Sequence, residues 1–263
     1  MISQSGETAD TIAALKECRS RGAKIIGIVN VVGSTVAKLA DYTLYTWAGP
    51  EIAVATTKGF TTQLAVLYLF AIYAAEKLST ISQERYQELV DEVRHLPRQI
   101  QQTIDMNYSL PSVATRYSSH SLFFIGRNTD YAVALEGALK MKEISYLHAE
   151  SYAAGELKHG TIALIEENQP VIAVCCNEAV AEKTLSNIVE VKARGAKVLA
   201  LAFRGNNAIV SQADDVIFIP RTEAIFSAIL AVVPLQLLAY YAAKDKGCDI
   251  DKPKNLAKSV TVE

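Results

Sequence analysis

A four-residue string constrains this chain more than any other feature. Arg21-Gly22-Ala23-Lys24 returns as Arg194-Gly195-Ala196-Lys197, 173 residues further on, and each copy leads into an apolar run. The same offset carries Ala40-Asp41 onto Ala213-Asp214, and Tyr73-Ala74-Ala75 pairs with Tyr241-Ala242-Ala243 at an offset of 168. One short match is chance. Three in the same order, beside the same kinds of segment, describe two copies of one α/β unit.

The segments fit that description. Lys24 to Val29, Ser121 to Ile125 with Gly126 closing it, Pro170 to Cys175, Lys197 to Phe203 and Asp215 to Ile219 are apolar, β-branched or aromatic runs, with Tyr42 to Thr46 a further strand by its β-prone residues. Near-continuous apolar strands belong to parallel sheets covered on both faces. Helical patterns alternate with them: Ala9 to Arg21, Thr56 to Leu78, an amphipathic stretch from Ser82 to about Gln102 that Pro97 should kink or interrupt, Asp130 to about His148, Glu178 to Ala193, and Glu223 to Lys246. The fold class is α/β, with parallel sheets in three layers. Pro111 to Ser119 reads as a linker and Glu150 to Gly160 as a loop with helical turns. The expected domains are a first unit at 1–80, a helical connector and linker at 81–119, a second unit at 120–248 and a C-terminal tail at 249–263.

Composition removes several classes of function. A net charge of −2 offers no clustered basic excess for nucleic acid or an anionic membrane. Leu64 to Ala75, at 12 residues, is shorter than the ~20 that a spanning helix needs. Ala224 to Ala243 is long enough but carries Ser227, Pro234 and Gln236, so both read as buried helices. The first residues are too polar for a signal peptide core, and the cysteines, Cys18, Cys175, Cys176 and Cys248, show neither CxxC spacing nor histidines at ligand intervals. The expectation is a cytoplasmic chain with reduced thiols and no metal site.

The two copies differ at one loop. Ser3-Gln4-Ser5-Gly6-Glu7-Thr8 opens the first helix, whereas the matching Cys176-Asn177-Glu178-Ala179-Val180-Ala181 lacks the hydroxyls and gains a carboxylate near the helix start. Hydroxyls, a glycine and the free N–H groups of a helix start suit a phosphate. Plain capping is the other reading of the same six residues, but capping alone does not require so many polar groups. Ahead of this loop the first copy has only Met1-Ile2 where the second has the strand Val171 to Val174, so the first unit reads as truncated.

Three further candidates carry chemistry. Glu136, Lys140 and Glu143 share one helix face, as a salt-bridged surface or as an acid–base group, with the small residues Gly137, Ala138 and Ser145 suiting close packing or close ligand approach. His159 lies in Gly155-Glu156-Leu157-Lys158-His159-Gly160, a shaped loop with a histidine able to exchange protons near neutral pH, or a surface histidine with no task. The ending Asn255 to Glu263 mixes apolar anchors with a single lysine, Lys258. A lysine held near apolar groups has a lowered pKa and condenses with carbonyls. Lysine, carboxylate, histidine and phosphate cradle together suit an isomerase of sugar phosphates, or an enzyme that aminates a keto sugar.

Ser3 to Thr11, Glu136 to Glu143, His148-Ala149-Glu150, Tyr152 to Gly160 and Asn255 to Glu263 resemble the isomerase part of the glutamine:fructose-6-phosphate amidotransferase family, the glucosamine-6-phosphate synthases. The resemblance runs along essentially the whole chain. It implies two flavodoxin-like sugar-isomerase (SIS) units in tandem, a homodimer, no cofactor, fructose 6-phosphate as substrate and glucosamine 6-phosphate as product. By motif position it implies that Ser3, Gln4, Ser5 and Thr8 hold the phosphate, and that the sugar is met by Val54, Thr56 and Ala257, the first two within Val54-Ala55-Thr56-Thr57. It further implies ring opening by His159 from across a dimer interface, a Schiff base on Lys258, proton movement between C1 and C2 by Glu143, and assistance from Lys140. Departures are Thr56 for a serine, Lys254 for an arginine and Thr161 for a proline. The match contains no glutaminase domain and no opening elements of the first unit, so ammonia is the expected nitrogen source. A sugar-phosphate-binding or subunit-interaction fragment without turnover is the alternative.

Overall fold

The computed structural model describes residues 1–118 and 121–261. Ser119, at the end of the expected linker, and Val262 and Glu263 of the tail motif lie outside the described residues. The chain divides into two units: Met1–Arg94 with the tail from Asp251 onward, and His95–Ile250.

In the first unit β1 (Ile2–Ser3), α1 (Ala9–Ser20), β2 (Ile26–Val29), α2 (Thr35–Leu39), β3 (Tyr42–Tyr45) and α3 (Lys58–Lys77) follow one another, and α4 (Gln83–Met106) begins here and continues into the second unit. The strands form a parallel sheet in the order β1-β2-β3, with Ile2 beside Ile28 and Ile28 beside Leu44. Leu15, Ile25, Val29 and Val36 close a small core between α1, α2 and the sheet.

The second unit adds α5 (Leu110–Tyr117), β4 (Leu122–Gly126), α6 (Thr129–Lys140), β5 (Ala149–Ala153), β6 (Pro170–Cys175), α7 (Ala181–Lys192), β7 (Lys197–Phe203), α8 (Asn207–Val210), β8 (Asp215–Ile219) and α9 (Ser227–Asp245). Its five strands are parallel in the order β5-β4-β6-β7-β8. This is the flavodoxin-like doubly wound order, whose ligand crevice lies beyond the carboxyl ends of the strands where the winding reverses. The parallel α/β class read from the sequence is the one observed. Helix 224–245 is long and apolar enough to cross a membrane by composition, and 61% of its apolar window is buried inside the protein. It packs against α5 and α6 as a core helix.

The repeat is visible in atomic detail. Asp41 Oδ2 accepts the Ile25 N–H at 2.8 Å, and Asp214 Oδ2 accepts the Val198 N–H at 2.7 Å, the same residues 173 positions apart. Gly22 and Gly195 both adopt left-handed φ values, +82° and +91°, at the turn before the strand, where a side chain would be strained.

Several segments depart from expectation. The linker at Pro111 to Ser119 is instead α5, because Leu110, Val113, Ala114 and Tyr117 recur at helical spacing and are buried, while Pro111 sits in the first turn where its missing N–H is harmless. Pro97 does not interrupt α4, which runs on to Met106. The loop from Glu150 contains β5, an edge strand whose partial exposure permits its polar residues, and then a 3₁₀ turn, Ala154–His159. The long helix expected to His148 ends earlier: α6 stops at Lys140, widens into a π turn at Met141–Ser145, and closes at Tyr146 with φ +59°.

Candidate active site

Two clusters carry the candidate residues, one in each unit. In the first, the hydroxyl loop leaves the carboxyl end of β1 and turns into α1. Ser3 Oγ accepts the Gly6 N–H at 3.0 Å and lies 3.2 Å from Thr8 Oγ1, and Ser5 Oγ accepts the Glu7 N–H at 3.2 Å. Gly6 has φ +68°, and a Cβ there would stand 2.1 Å from Ser34 Oγ, so only glycine fits this bend. Glu7 turns away: its carboxylate accepts the Thr35 N–H and hydroxyl, both at 2.7 Å, and those bonds hold it below the usual Glu range. Thr8 is the N-cap of α1 by position but makes no side-chain cap bond. The first-turn donor Ala9 N–H is met instead by Val260 O at 3.1 Å.

The C-terminal tail therefore belongs to this cluster. Ser259 Oγ is 3.0 Å from Ser5 Oγ, and the Val54 N–H donates to Asp251 O at 2.9 Å. Lys258 Nζ donates to Glu51 Oε2 at 2.8 Å, to Ala53 O at 2.9 Å and to Thr56 Oγ1 at 3.5 Å. The apolar setting expected for Lys258 is not found. Leu256 and Val260, its apolar neighbours in sequence, are exposed, and the tail is held by backbone and side-chain hydrogen bonds. Ala257 is exposed beside it. A single position gathers the rest: a Cβ on Gly59 would lie 2.9 Å from Glu51 Oε2, 2.9 Å from Thr56 Cγ2 and 3.2 Å from Gln4 Cγ.

Glu51 was not among the residues singled out from sequence. Its side chain is only 3% exposed, and its other oxygen accepts the Thr57 N–H at 2.9 Å and the Gly59 N–H at 3.1 Å. Burial pushes its carboxyl up, but the bonds from Lys258, Thr57 and Gly59 outweigh burial and hold it below the usual Glu value. The signal available in the sequence was an acid five residues ahead of Thr56, with a glycine at 59 to admit it.

The second cluster sits where α6 gives way to the π turn. Lys140 Nζ, on a side chain 4% exposed, lies 2.6 Å from Glu143 Oε2 and 3.5 Å from Glu136 Oε1. The lysine is buried and its two carboxylates are partly buried, so this is not an exposed salt-bridged face. Single-turn π segments recur at functional sites, and this one carries Glu143. Burial raises the Glu136 carboxyl, with Lys140 pulling it down and Glu143 adding to the rise. Gly137 is small for packing, since a Cβ there would meet Leu235 Cδ1 at 2.7 Å. His159 ends the 3₁₀ turn with its side chain 75% exposed, and its acidic neighbour Glu156 lies 3.9 Å away.

A sequence-family model described as the SIS domain matches residues 1–73 and 117–244, and the chain belongs to that family. The sequence is 56% identical over 264 residues to a glutamine–fructose-6-phosphate aminotransferase (isomerizing) of Caldanaerobacter subterraneus subsp. tengcongensis, and 51% identical over 264 residues to that of Clostridium tetani. Each match takes in 100% of this chain and 43% of the relative, so the chain spans less than half the length of these curated relatives. Among solved structures, the C-terminal domain of glucosamine-fructose-6-phosphate aminotransferase from Francisella tularensis is similar with a TM-score of 0.91 at 36% identity, covering 96% of this chain and 72% of that one.

Proposed function

We propose that this chain is a sugar-phosphate isomerase domain that binds fructose 6-phosphate and, given ammonia, converts it to glucosamine 6-phosphate. The observation that carries this reading is the Ser5–Ser259 contact at 3.0 Å, which ties the hydroxyl loop to the residue after Lys258 across 254 positions of sequence. A phosphate-suited loop and a carbonyl-condensing amine are thereby parts of one cluster.

In this reading Ser3, Gln4, Ser5 and Thr8 take the phosphate, with Val54, Thr56 and Ala257 along the sugar. His159, donated by a second copy of the chain, opens the ring. The Lys258 amine adds to C2 and water leaves, giving an imine that acidifies the proton on C1. Ammonia adds to that imine carbon and displaces the Lys258 amine, leaving a C2 imine of its own nitrogen. Glu143 then carries the proton from C1 to C2, so that C2 keeps the new amine and C1 becomes the aldehyde, and Lys140 holds the carboxylate in place.

The test is product formation from fructose 6-phosphate and ammonium chloride, beside Lys258→Ala. Turnover in the parent and a loss on the order of a thousandfold in the variant are expected. Binding without turnover in the parent overturns the enzyme reading and leaves a sugar-phosphate-binding or subunit-interaction fragment. Sedimentation of the active protein as a strict monomer removes the donated His159.

A further inference from the structure

We infer that Glu51 is the positioning residue of the Lys258 amine, fixing it as a cation beside the sugar site through a carboxylate oxygen kept free for that purpose. The inference rests on the reading of Lys258 as the condensing amine. Glu51 divides its two oxygens between two tasks. Oε1 takes the Thr57 N–H, the Gly59 N–H and the Thr57 hydroxyl, at 2.9, 3.1 and 3.4 Å, and so caps the start of α3. Oε2 takes none of these and faces Lys258 Nζ at 2.8 Å. Capping requires one oxygen only, so it does not explain the second contact.

The amine's surroundings match its protonated form. An ammonium has three N–H donors, and Lys258 finds three acceptors: Glu51 Oε2, Ala53 O and Thr56 Oγ1. Glu51 Oε2 and Ala53 O can only accept, and a carboxylate at 2.8 Å favours the ammonium over the neutral amine. The absence of a side chain at Gly59 lets the carboxylate lie there, since a Cβ would stand 2.9 Å from Oε2. Two other charged groups on the packed elements are occupied elsewhere: Lys58 Nζ donates to Pro50 O at 2.6 Å, and the Glu7 carboxylate is taken by Thr35.

This arrangement suits imine chemistry because charge is conserved through it. The ammonium and the C2 carbonyl become a protonated imine and water. One N–H proton must leave first to expose the lone pair that adds to C2, a second leaves as the imine forms, both depart with the C2 oxygen as water, and the third stays on nitrogen. The nitrogen carries one positive charge in the ammonium and again in the protonated imine, and Glu51 faces it in both.

The experiment uses the full chain and two readouts. Reductive methylation with formaldehyde and cyanoborohydride, mapped to Lys258 by mass spectrometry, needs no sugar. Borohydride trapping of Lys258 with fructose 6-phosphate reports imine formation. Removing the charge in Glu51→Gln is expected to displace the methylation profile against pH toward acid by about one unit, and, by releasing the amine from its fixed place, to cut trapped imine roughly tenfold. A loss of packing alone leaves the profile in place, so an unmoved profile in a variant with parental circular dichroism overturns the proposal. Should Glu51→Gln lose its helical signal, Glu51→Asp carries the test. It keeps the charge and shortens the reach, so the profile stays while trapped imine falls, and undiminished trapping overturns the proposal. If the parent traps no fructose 6-phosphate, the functional reading fails while the methylation profile still decides the role of Glu51.

Discussion

At the carboxyl end of β6 the loop that matches Ser3 to Thr8 already holds an anion from the chain itself. Asp130, 1% exposed, accepts the Cys176 N–H at 2.8 Å and the Asn177 N–H at 2.9 Å through one oxygen. These two residues correspond, 173 positions on, to Ser3 and Gln4. One carboxylate thus engages, in the second unit, the backbone donors of the loop that carries hydroxyls in the first. Burial pushes Asp130 up to about 6 from 3.8, against the pull of the Asn177 and Cys176 N–H bonds. Folding therefore tightens its proton, and stability falls as pH rises from about 4 to about 6, by at most ~3 kcal/mol over the window. Asp130→Asn keeps an acceptor without the titration. Urea midpoints at pH 4.5 and pH 7 should differ less in the variant than in the parent, and an equal difference counts against this role.

Each unit carries the same small device at the element scale: an aspartate before the third strand of the repeat takes an N–H at the entry to the strand beside it. Burial raises the Asp214 carboxyl, but the bonds from Lys192 and the Val198 N–H outweigh it and hold the group below its ordinary value. Asp41 is likewise held low, chiefly by the Ile25 N–H. A lowered folded value stabilises the fold above the ordinary Asp range and loses that contribution as pH falls through the folded value. Asp214→Asn should therefore weaken the second unit at pH 7 and approach the parent as the pH falls through the folded value, as read from urea unfolding. A penalty that persists in acid would assign the loss to packing instead. The π turn after α6 works differently, since an extra residue in one turn re-aims Glu143 without breaking the helix.

Over the whole molecule the two units bury their repeat-equivalent helices unequally. In α9 Leu230, Ala231, Val232 and Leu235 are buried, whereas its counterpart α3 exposes Leu69, Phe70 and Tyr73. With Tyr45 and Trp47 those residues line an open apolar hollow of about 430 Å³. A three-stranded sheet with a small core opens more readily than a five-stranded one with helices on both faces. Hydrogen exchange should find the β1 to β3 amides fast and those of β6 and β7 slowest. Equal protection in both sheets would show that the first unit is held by more than the packing described.

The order of elements was determined by sequence alone, because strand runs and the 173-residue repeat are local patterns that survive without coordinates. β6, β7 and β8 are found at the bounds read from apolar texture, since buried central strands carry little else. β5 was illegible because an edge strand tolerates Glu150, Ser151 and Tyr152, and α5 because its proline suggested a break. Ser3, Ser5, Thr8 and Lys258 stand out in the sequence within short motifs, and the structure brings the loop and the tail together. Tertiary structure alone decided what stands beside them. Glu51 meets Lys258 across 207 positions, and Ser5 meets Ser259 across 254, separations that no local pattern encodes. Which oxygen, hydroxyl or N–H remains available to a ligand depends on three-dimensional hydrogen bonding, and that depends on the fold.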